Sequence, residues 1–239
     1  MSSSAPSPAT VHPGHPGLVV AIDGPSGSGK SSTSRGVAVR LGTRYLDTGA
    51  MFRALTWWLL REGVDVHDVA AVAARVGEPA IVSGTDPSAP TITVDGVDVA
   101  VAIRGEDVTG SVSPVSAVPE ARARLLQLQR EVIAEAATGA GIVVEGRDIG
   151  SVVAPDAPVK VYLTADPAAR AARRAAEEGG SDVSATEASL LARDQIDSGR
   201  ATAPLVQADG AAHIDTTAYT LDEVIGQVVA LVQAVESPA

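Results

Sequence analysis

The sequence contains no cysteine, which excludes disulfide bonds and thiolate metal sites. Positive charge is also scarce, because 18 lysines and arginines stand against 29 acidic residues, for a formal net charge of −11. So acidic a chain is a poor match for extended nucleic-acid surfaces or anionic membranes. No apolar run reaches the ~18 residues that a membrane span needs. These absences predict a cytoplasmic protein that binds neither nucleic acid nor membrane.

At 239 residues the chain is long enough to bury a full core, as one large domain or as one domain with insertions. Residues 1–17 differ from the rest, because they are rich in serine, proline and glycine and have no periodic apolar face. They also lack the basic and apolar regions of a signal peptide. We predict that this segment is a disordered tail.

A glycine-rich loop is the most specific motif in the chain. Residues 24–31 read GPSGSGKS, a complete G-x-x-x-x-G-K-[ST] phosphate-binding loop, and they follow the apolar run 18–22. Its glycines let backbone N–H groups surround a polyphosphate, and the helix that follows adds its positive N-terminal end. Lys30 supplies charge for the β- and γ-phosphates, and Ser31 offers a hydroxyl to Mg²⁺. The predicted nucleotide-binding residues are Gly24, Pro25, Ser26, Gly27, Ser28, Gly29, Lys30, Ser31 and Ser32.

Segments typical of strands and of helices alternate along most of the chain. Buried strands are predicted at 18–22, 141–145 and 159–163, with helical patterns between them. This alternation predicts βαβ units, and hence an α/β fold with a central parallel sheet. The stretch 79–103 is different, because its β-branched runs are separated by prolines and an Asp95-Gly96 turn. There we predict a small antiparallel sheet inserted into the α/β framework.

Three further clusters combine arginine with hydroxyl or carboxylate groups, in loops after strands or at helix starts. They are LDTGAMFR at 46–53, EGRDIG at 145–150 and RDQIDSGR at 193–200. A lone cluster of this kind is usually a surface ion pair. Open α/β sheets, however, bind ligands in the loops at the carboxyl ends of their strands. Three such clusters beside a phosphate-binding loop therefore favour ligand binding.

These segments resemble the cytidylate (CMP) kinase family, bacterial type, within the nucleoside monophosphate kinases. The similarity rests on IDGPSGSGKS at 22–31, LDTGAMFR at 46–53, EGRDIGSVVAPDAPVK at 145–160 and RDQIDSGRATAPL at 193–205. It extends from about residue 18 to the predicted C-terminal helix. Phe52 departs from the family pattern, in which tyrosine is common at this position.

The resemblance implies a P-loop NTPase fold in three parts. A core formed by 18–48 and 138–236 would include a short lid at approximately 170–200. A CMP-binding domain at 49–137 would carry the β insertion 79–103.

The resemblance also implies roles for the residues that match the family's motifs. Residues that surround the cytosine base correspond to Thr48, Arg122, Asp148 and Arg200. Those that bind the acceptor phosphate correspond to Arg53 and Arg147, and those that contact the ribose to Ser113, Arg193 and Asp197. Arginines at the base of the lid correspond to Arg170, Arg173 and Arg174. The implied catalytic set is Lys30, Arg147, Arg170 and Arg174, and Ser31 is the expected metal ligand.

The implied activity is transfer of the γ-phosphoryl group of ATP to CMP and dCMP, giving CDP or dCDP and ADP, in pyrimidine nucleotide metabolism. ATP and Mg²⁺ are the implied cofactors, ATP and CMP or dCMP are the expected small-molecule partners, and a monomer is expected. Two alternatives stay open: another acceptor, such as a different nucleoside monophosphate or shikimate, and a nucleotide-dependent switch. The mixed donors and acceptors of Thr48, Arg122, Asp148 and Arg200 favour a nucleobase. A switch would have no second pocket rich in arginine.

Overall fold

The computed structural model of the chain describes residues 15–177, 180, 182–200 and 203–237. Its strands are β1 (Val19–Asp23), β2 (Arg44–Asp47), β3 (Ile81–Ser83), β4 (Ile92–Val94), β5 (Val97–Asp98), β6 (Ile142–Gly146), β7 (Val159–Thr164) and β8 (Ala212–Asp215). Its helices are α1 (Lys30–Leu41), α2 (Thr48–Arg61), α3 (Val69–Arg75), α4 (Glu106–Ala117), α5 (Pro119–Ala137), α6 (Pro167–Glu177), α7 (Val183–Gly199) and α8 (Leu221–Glu236). A 3-10 turn covers Ala102–Arg104, and one turn of π-helix, called the π-turn below, covers Ile149–Val153.

A parallel sheet of five strands forms the centre of the fold, in the order β2-β6-β1-β7-β8. All of its neighbours pair in parallel, and the register places Asp23 beside Gly146 and Asp47 beside Glu145. The carboxyl ends of β1, β2 and β6 therefore meet at one edge, and the loops that follow them begin next to one another. This arrangement confirms the predicted α/β fold.

Helices cover both faces of the sheet, as a parallel sheet requires. Alternate residues of β1 point to opposite faces, so Val19 and Ala21 join a core that includes α2 and α5 residues. Val20 and Ile22 join a second core with residues of α1 and α8. Every residue of β1 is buried, which explains its uninterrupted apolar pattern. Within the described ranges, no helix is both long and apolar enough to cross a bilayer.

The predicted β insertion is present as a small antiparallel sheet in the order β3-β4-β5. Ile81 pairs with Val94, and the β4–β5 hairpin turns at Asp95 and Gly96. Both turn residues have positive φ angles, 52° and 77°, which is the backbone conformation that an Asp-Gly pair favours in tight hairpins. The division of the chain into a core, a CMP-binding domain and a lid stays a prediction.

Helix α4 has no counterpart among the sequence predictions. Gly110 and Pro114 lie inside it, and both residues disfavour helix. Its buried valines, Val108, Val112 and Val115, follow helical spacing and supply one apolar face. Packing of that face, which propensity does not report, accounts for the helix.

The end of the predicted tail is attached to the folded core. Gly17 N donates to Ala137 O at 2.8 Å, and His15 Nδ1 lies 2.5 Å from Glu236 Oε1 on α8. Residues 1–14 of the tail lie outside the described residues, as do 178, 179 and 181 of the predicted lid.

These contacts predict where the N-terminus can be shortened. A chain beginning at His15 should keep the full-length melting temperature within about 2 °C. A chain beginning at Leu18 loses the hydrogen bonds of His15 and Gly17, worth ~1–2 kcal/mol together, and should melt about 2–6 °C lower. Differential scanning calorimetry of the two chains measures the difference. Equal melting temperatures would mean that residues 15–17 contribute nothing to stability.

Candidate active site

A cleft of about 480 Å³ opens at the carboxyl edge of the parallel sheet. It lies between the phosphate-binding loop, the first turns of α2, the loop after β6, and helices α4 and α7. The residues predicted from the sequence that line it are Ser26, Gly27, Gly29, Lys30, Ser31, Ser32, Thr48, Arg53, Ser113, Arg122, Arg147, Asp148, Arg174, Arg193, Asp197 and Arg200. The cleft lining does not include Gly24, Pro25, Ser28, Arg170 or Arg173. The structure thus brings all three arginine clusters to the phosphate-binding loop.

The phosphate-binding loop leaves β1 through a glycine that no other residue could replace without a shift of backbone. Gly24 has a φ of 151°, and a Cβ at this position would lie 2.1 Å from the carbonyl oxygen of Leu163 on the neighbouring strand β7. The loop therefore turns tightly against the sheet before α1 begins at Lys30. The N-terminal end of α1, with its unpaired N–H groups, faces the cleft.

Lys30 is buried at the base of the cleft. Its Nζ donates to Pro25 O at 2.7 Å, so the side chain folds back over the loop. Burial, and next to it the nearby Arg147 guanidinium, lower the pKa of Lys30 to about 7. A polyphosphate at this position would favour the protonated amine, because an adjacent anion stabilises the charged form.

Glu145 connects the phosphate-binding loop to the neighbouring strand. Its Oε2 accepts a hydrogen bond from Ser31 Oγ at 3.0 Å, and its Oε1 accepts one from the buried hydroxyl of Tyr45. Burial, and next to it the nearby Asp47, raise the pKa of Glu145 to about 7. Carboxylate and hydroxyl oxygens are the ligands that Mg²⁺ prefers, so Ser31 and Glu145 fit a magnesium ion at the phosphates.

Arg147 links the phosphate-binding loop to helix α7. Its Nη1 donates to Gly24 O at 2.8 Å, its Nη2 to Ser26 Oγ at 2.5 Å, and its Nε to Asp197 Oδ2 at 2.8 Å. Arg200 also pairs with Asp197, through Oδ1. Two arginines therefore share one buried carboxylate in the middle of the cleft.

Asp197 keeps its charge despite this burial. Desolvation alone would raise its pKa, but Arg147 and Arg200 outweigh desolvation and hold the pKa below the usual value. Arg193 lies near enough to favour the charged Asp197, although the hydrogen bonds to this carboxylate come from the other two arginines. The pKa of Arg193 itself falls to about 10, chiefly through burial.

A second ion pair closes the far end of the cleft. Arg122 on α5 pairs with Asp148, donates to Ser116 O at 3.2 Å and lies over the Phe52 ring, 5.5 Å from its centroid. Burial raises the pKa of Asp148 although Arg122 and Arg200 oppose that shift. Thr48 Oγ1 donates to Glu145 O at 2.7 Å, which leaves its lone pairs available as acceptors.

The acceptor-phosphate arginine predicted on α2 is also held in place. Arg53 Nη2 donates to Asp47 Oδ2 at 2.9 Å, and Asp47 caps α2 by accepting from Ala50 N at 2.8 Å. Among the described residues, no acceptor lies within hydrogen-bonding distance of Arg53 Nε or Arg200 Nε, and both atoms are buried. Two buried guanidinium N–H groups thus have no acceptor among the described residues.

Two of the three lid arginines point elsewhere in this conformation. Arg170 is buried, donates to Ser26 O at 3.0 Å and to Ala165 O at 3.1 Å, and pairs with Asp194. Arg173 donates to Thr216 Oγ1 at 2.9 Å and Thr216 O at 2.7 Å. Of the three, Arg174 lines the cleft. A role in phosphate binding for the three stays a prediction.

The structure adds cleft residues that the sequence analysis did not select. Arg104 reaches the cleft from the 3-10 turn, a segment with no motif to mark it. Glu145 belongs to a predicted cluster, but its contact with Ser31 joins residues 114 positions apart. Asp23 does not line the cleft, yet its carboxylate lies behind the loop that carries Arg147 and Asp148.

Comparison with known proteins gives one consistent family. The family model described as cytidylate kinase matches residues 20–234. The cytidylate kinase of Streptomyces avermitilis is 58% identical over 218 residues, which cover 91% of this chain and 94% of that protein. The cytidylate kinase of Streptomyces griseus subsp. griseus is 59% identical over 224 residues, 94% of this chain and 96% of that protein. The cytidylate kinase of Nocardia farcinica is 54% identical over 214 residues, which cover 88% of this chain and 91% of that protein.

The shared carboxylate of Asp197 predicts a pH-dependent loss of stability. Asp197→Asn leaves two buried arginines without their anion, and loss of one partner from a buried pair costs ~3–5 kcal/mol. We expect the melting temperature to fall by about 5 °C or more at pH 7. The carboxylate contributes fully above its usual pKa of 3.8, and the contribution disappears as pH falls through the lowered pKa of the folded protein.

The difference between wild type and Asp197→Asn should therefore be constant from about pH 8 to pH 5 and shrink below about pH 4. Asp222→Asn is the matched control, because Asp222 forms an exposed pair with Arg40 and should change the melting temperature by less than about 2 °C. A difference that narrows already near pH 6 would contradict a lowered pKa for Asp197.

Proposed function

Because the chain belongs to the cytidylate kinase family, it is a phosphotransferase that moves the γ-phosphoryl group of ATP to CMP, and we propose further that dCMP is a second acceptor and that the reaction requires Mg²⁺. We also propose a monomeric, cytoplasmic enzyme. The absence of cysteine is compatible with a reducing compartment.

One observation carries the assignment of the acceptor site: a second group of partly buried arginines lies directly beside the phosphate-binding loop. Arg147 touches both the loop and Asp197, while Arg53 and Arg200 each keep a buried Nε–H without an acceptor among the described residues. We assign the acceptor phosphate to Arg53 and Arg147, and the ribose to Ser113, Arg193 and Asp197. A nucleotide switch would not need such a second anion site.

The chemistry of the cleft's far end supports a cytosine base. Cytosine offers an amino donor at N4 and an acceptor at O2. Thr48 and Asp148 supply acceptors, and Arg122 and Arg200 supply donors, so both kinds of base edge find partners. Uracil has an acceptor where cytosine has its amino group, so it would place an acceptor, not a donor, against the Asp148 carboxylate.

Phosphoryl transfer needs positioning and charge stabilisation more than it needs a protein nucleophile. When bound, Mg²⁺ would neutralise charge on the β- and γ-phosphates, and Ser31 with Glu145 would hold it. Lys30 and Arg174 would stabilise charge on the transferring group, while Arg147 holds the attacking phosphate oxygen in line. Arg170 could join them only by releasing Asp194 and the Ser26 carbonyl.

An acceptor panel tests this proposal. ADP formation from ATP should be fastest with CMP and dCMP, slower with UMP, and near background with AMP, GMP, shikimate or no acceptor. Asp148→Ala should lower kcat/KM for CMP, with a loss of transition-state stabilisation of ~2–4 kcal/mol, because base donors are left unpaired. The KM for ATP should stay nearly unchanged. ADP formation that is equal with and without any acceptor would instead indicate a switch or an ATPase.

The chain offers a matched pair of lysines for a test of catalysis. Lys30→Ala should lower kcat by about 10²–10³, because it removes a charge directed at the transferring phosphate. Lys160, the other lysine of the chain, donates to Asp209 O at 3.4 Å outside the cleft, and Lys160→Ala should keep kcat within about twofold. Circular dichroism checks the fold of both. A folded Lys30→Ala enzyme with more than about a tenth of wild-type kcat would contradict the assigned role.

A further inference from the structure

Asp23 is a buried carboxylate that none of the steps above uses. It is the last residue of β1, directly before Gly24, and only 3% of its surface is exposed. Its Oδ1 accepts from Ile149 N and its Oδ2 from Gly150 N, both at 2.8 Å. Burial raises the pKa of Asp23 to about 6 against the effect of these two N–H groups, so the site is costly for a carboxylate.

The two N–H groups belong to the start of the π-turn, immediately after Arg147 and Asp148. The first N–H groups of any helical turn have no partner within it, and here one carboxylate satisfies two of them. A pair of hydrogen bonds to adjacent residues fixes both the position and the orientation of the backbone. Arg147 and Asp148 are the two residues directly before Ile149 in the chain, so their Cα atoms have little freedom.

Packing leaves the turn little room to shift. A Cβ added at Gly150 would lie 3.1 Å from Ala208 Cβ, 3.3 Å from Lys160 Cδ and 3.5 Å from Asp23 Oδ2. Asp23, Lys160 and Ala208 therefore all pack closely around Gly150. Because β1 and β6 pair in parallel, Asp23, the residue directly before the phosphate-binding loop, also holds the loop after β6 in place.

We propose that Asp23 is a positioning residue for the acceptor nucleotide: it sets where Arg147 and Asp148 stand, and so ties the acceptor site to the strand that carries the donor loop. This inference rests on the proposed function, because it takes Arg147 and Asp148 as acceptor ligands. It predicts a selective effect. Loss of the carboxylate should weaken the binding of CMP much more than the binding of ATP.

Asp23→Asn is the sharpest test, because it keeps the shape but turns one acceptor into a donor that faces an N–H group. Titration calorimetry should show the Kd for CMP rising about 10-fold to 100-fold, the loss expected when a buried N–H is left without an acceptor. The Kd for MgATP should change by less than about threefold. Equal weakening of both nucleotides, or unchanged CMP binding, overturns the proposal.

Arg130→Gln is the matched control at the other end of the π-turn. Arg130 donates from α5 to Val152 O at 2.8 Å and Val153 O at 3.2 Å, and so contacts the turn at the end opposite to Ile149 and Gly150. This variant should keep the Kd for CMP within about threefold of wild type. If it weakens CMP binding as much as Asp23→Asn does, general loosening of the turn explains both variants and Asp23 has no positioning role.

A second variant keeps the inference testable if Asp23→Asn does not fold. Gly150→Ala leaves the carboxylate in place but adds a methyl group 3.1 Å from Ala208 Cβ, which forces the turn to move by a few tenths of an ångström. CMP binding should weaken and MgATP binding should not; unchanged CMP binding counts against the proposal. A preference of the wild-type enzyme for another acceptor in the panel would contradict the proposed function without contradicting the role of Asp23. The same comparison is then made with that acceptor.

Discussion

The parallel pairing of β1 with β6 is the constraint on which the cleft depends. Asp23 and Gly146 stand side by side in the register, so the phosphate-binding loop and the loop of Arg147 start one strand apart, ~5 Å. That spacing is what allows a single guanidinium to reach Gly24 O and Ser26 Oγ. Donor and acceptor sites are neighbours because the strands before them are neighbours, and no separate docking of domains is needed for this contact.

Charge balance in the cleft follows from the same compact arrangement. An acidic chain that handles phosphates must concentrate its few cations, and buried cations need anions beside them. Asp47, Asp148, Asp194 and Asp197 each pair with an arginine at or next to the cleft. These carboxylates hold the guanidinium groups in place. The arginines are therefore oriented before substrate arrives, which lowers the cost of ordering them.

The sequence predicted those parts of the fold that local signals determine. The phosphate-binding loop, the parallel strands and the Asp95-Gly96 hairpin each depend on neighbouring residues, and each was predicted. Helix α4 was not, because Gly110 and Pro114 oppose it locally and packing supplies its stability. Arg170 and Arg174 are one helical turn apart and look alike in sequence, yet Arg174 lines the cleft, whereas Arg170 pairs with Asp194 on α7 and does not line it.

Arg147 shows how a residue can be restrained and still bind a ligand. A guanidinium carries five N–H donors. Gly24 O, Ser26 Oγ and Asp197 Oδ2 each accept one hydrogen bond from Arg147, and these three bonds use one N–H group on each nitrogen. Two N–H donors remain, one on each Nη atom. A phosphate oxygen can accept from these two without displacing any protein contact. In the proposed assignment, its charge would add to that of Asp197 around a fixed cation, and the attacking oxygen would be placed by a group that does not need to reorganise.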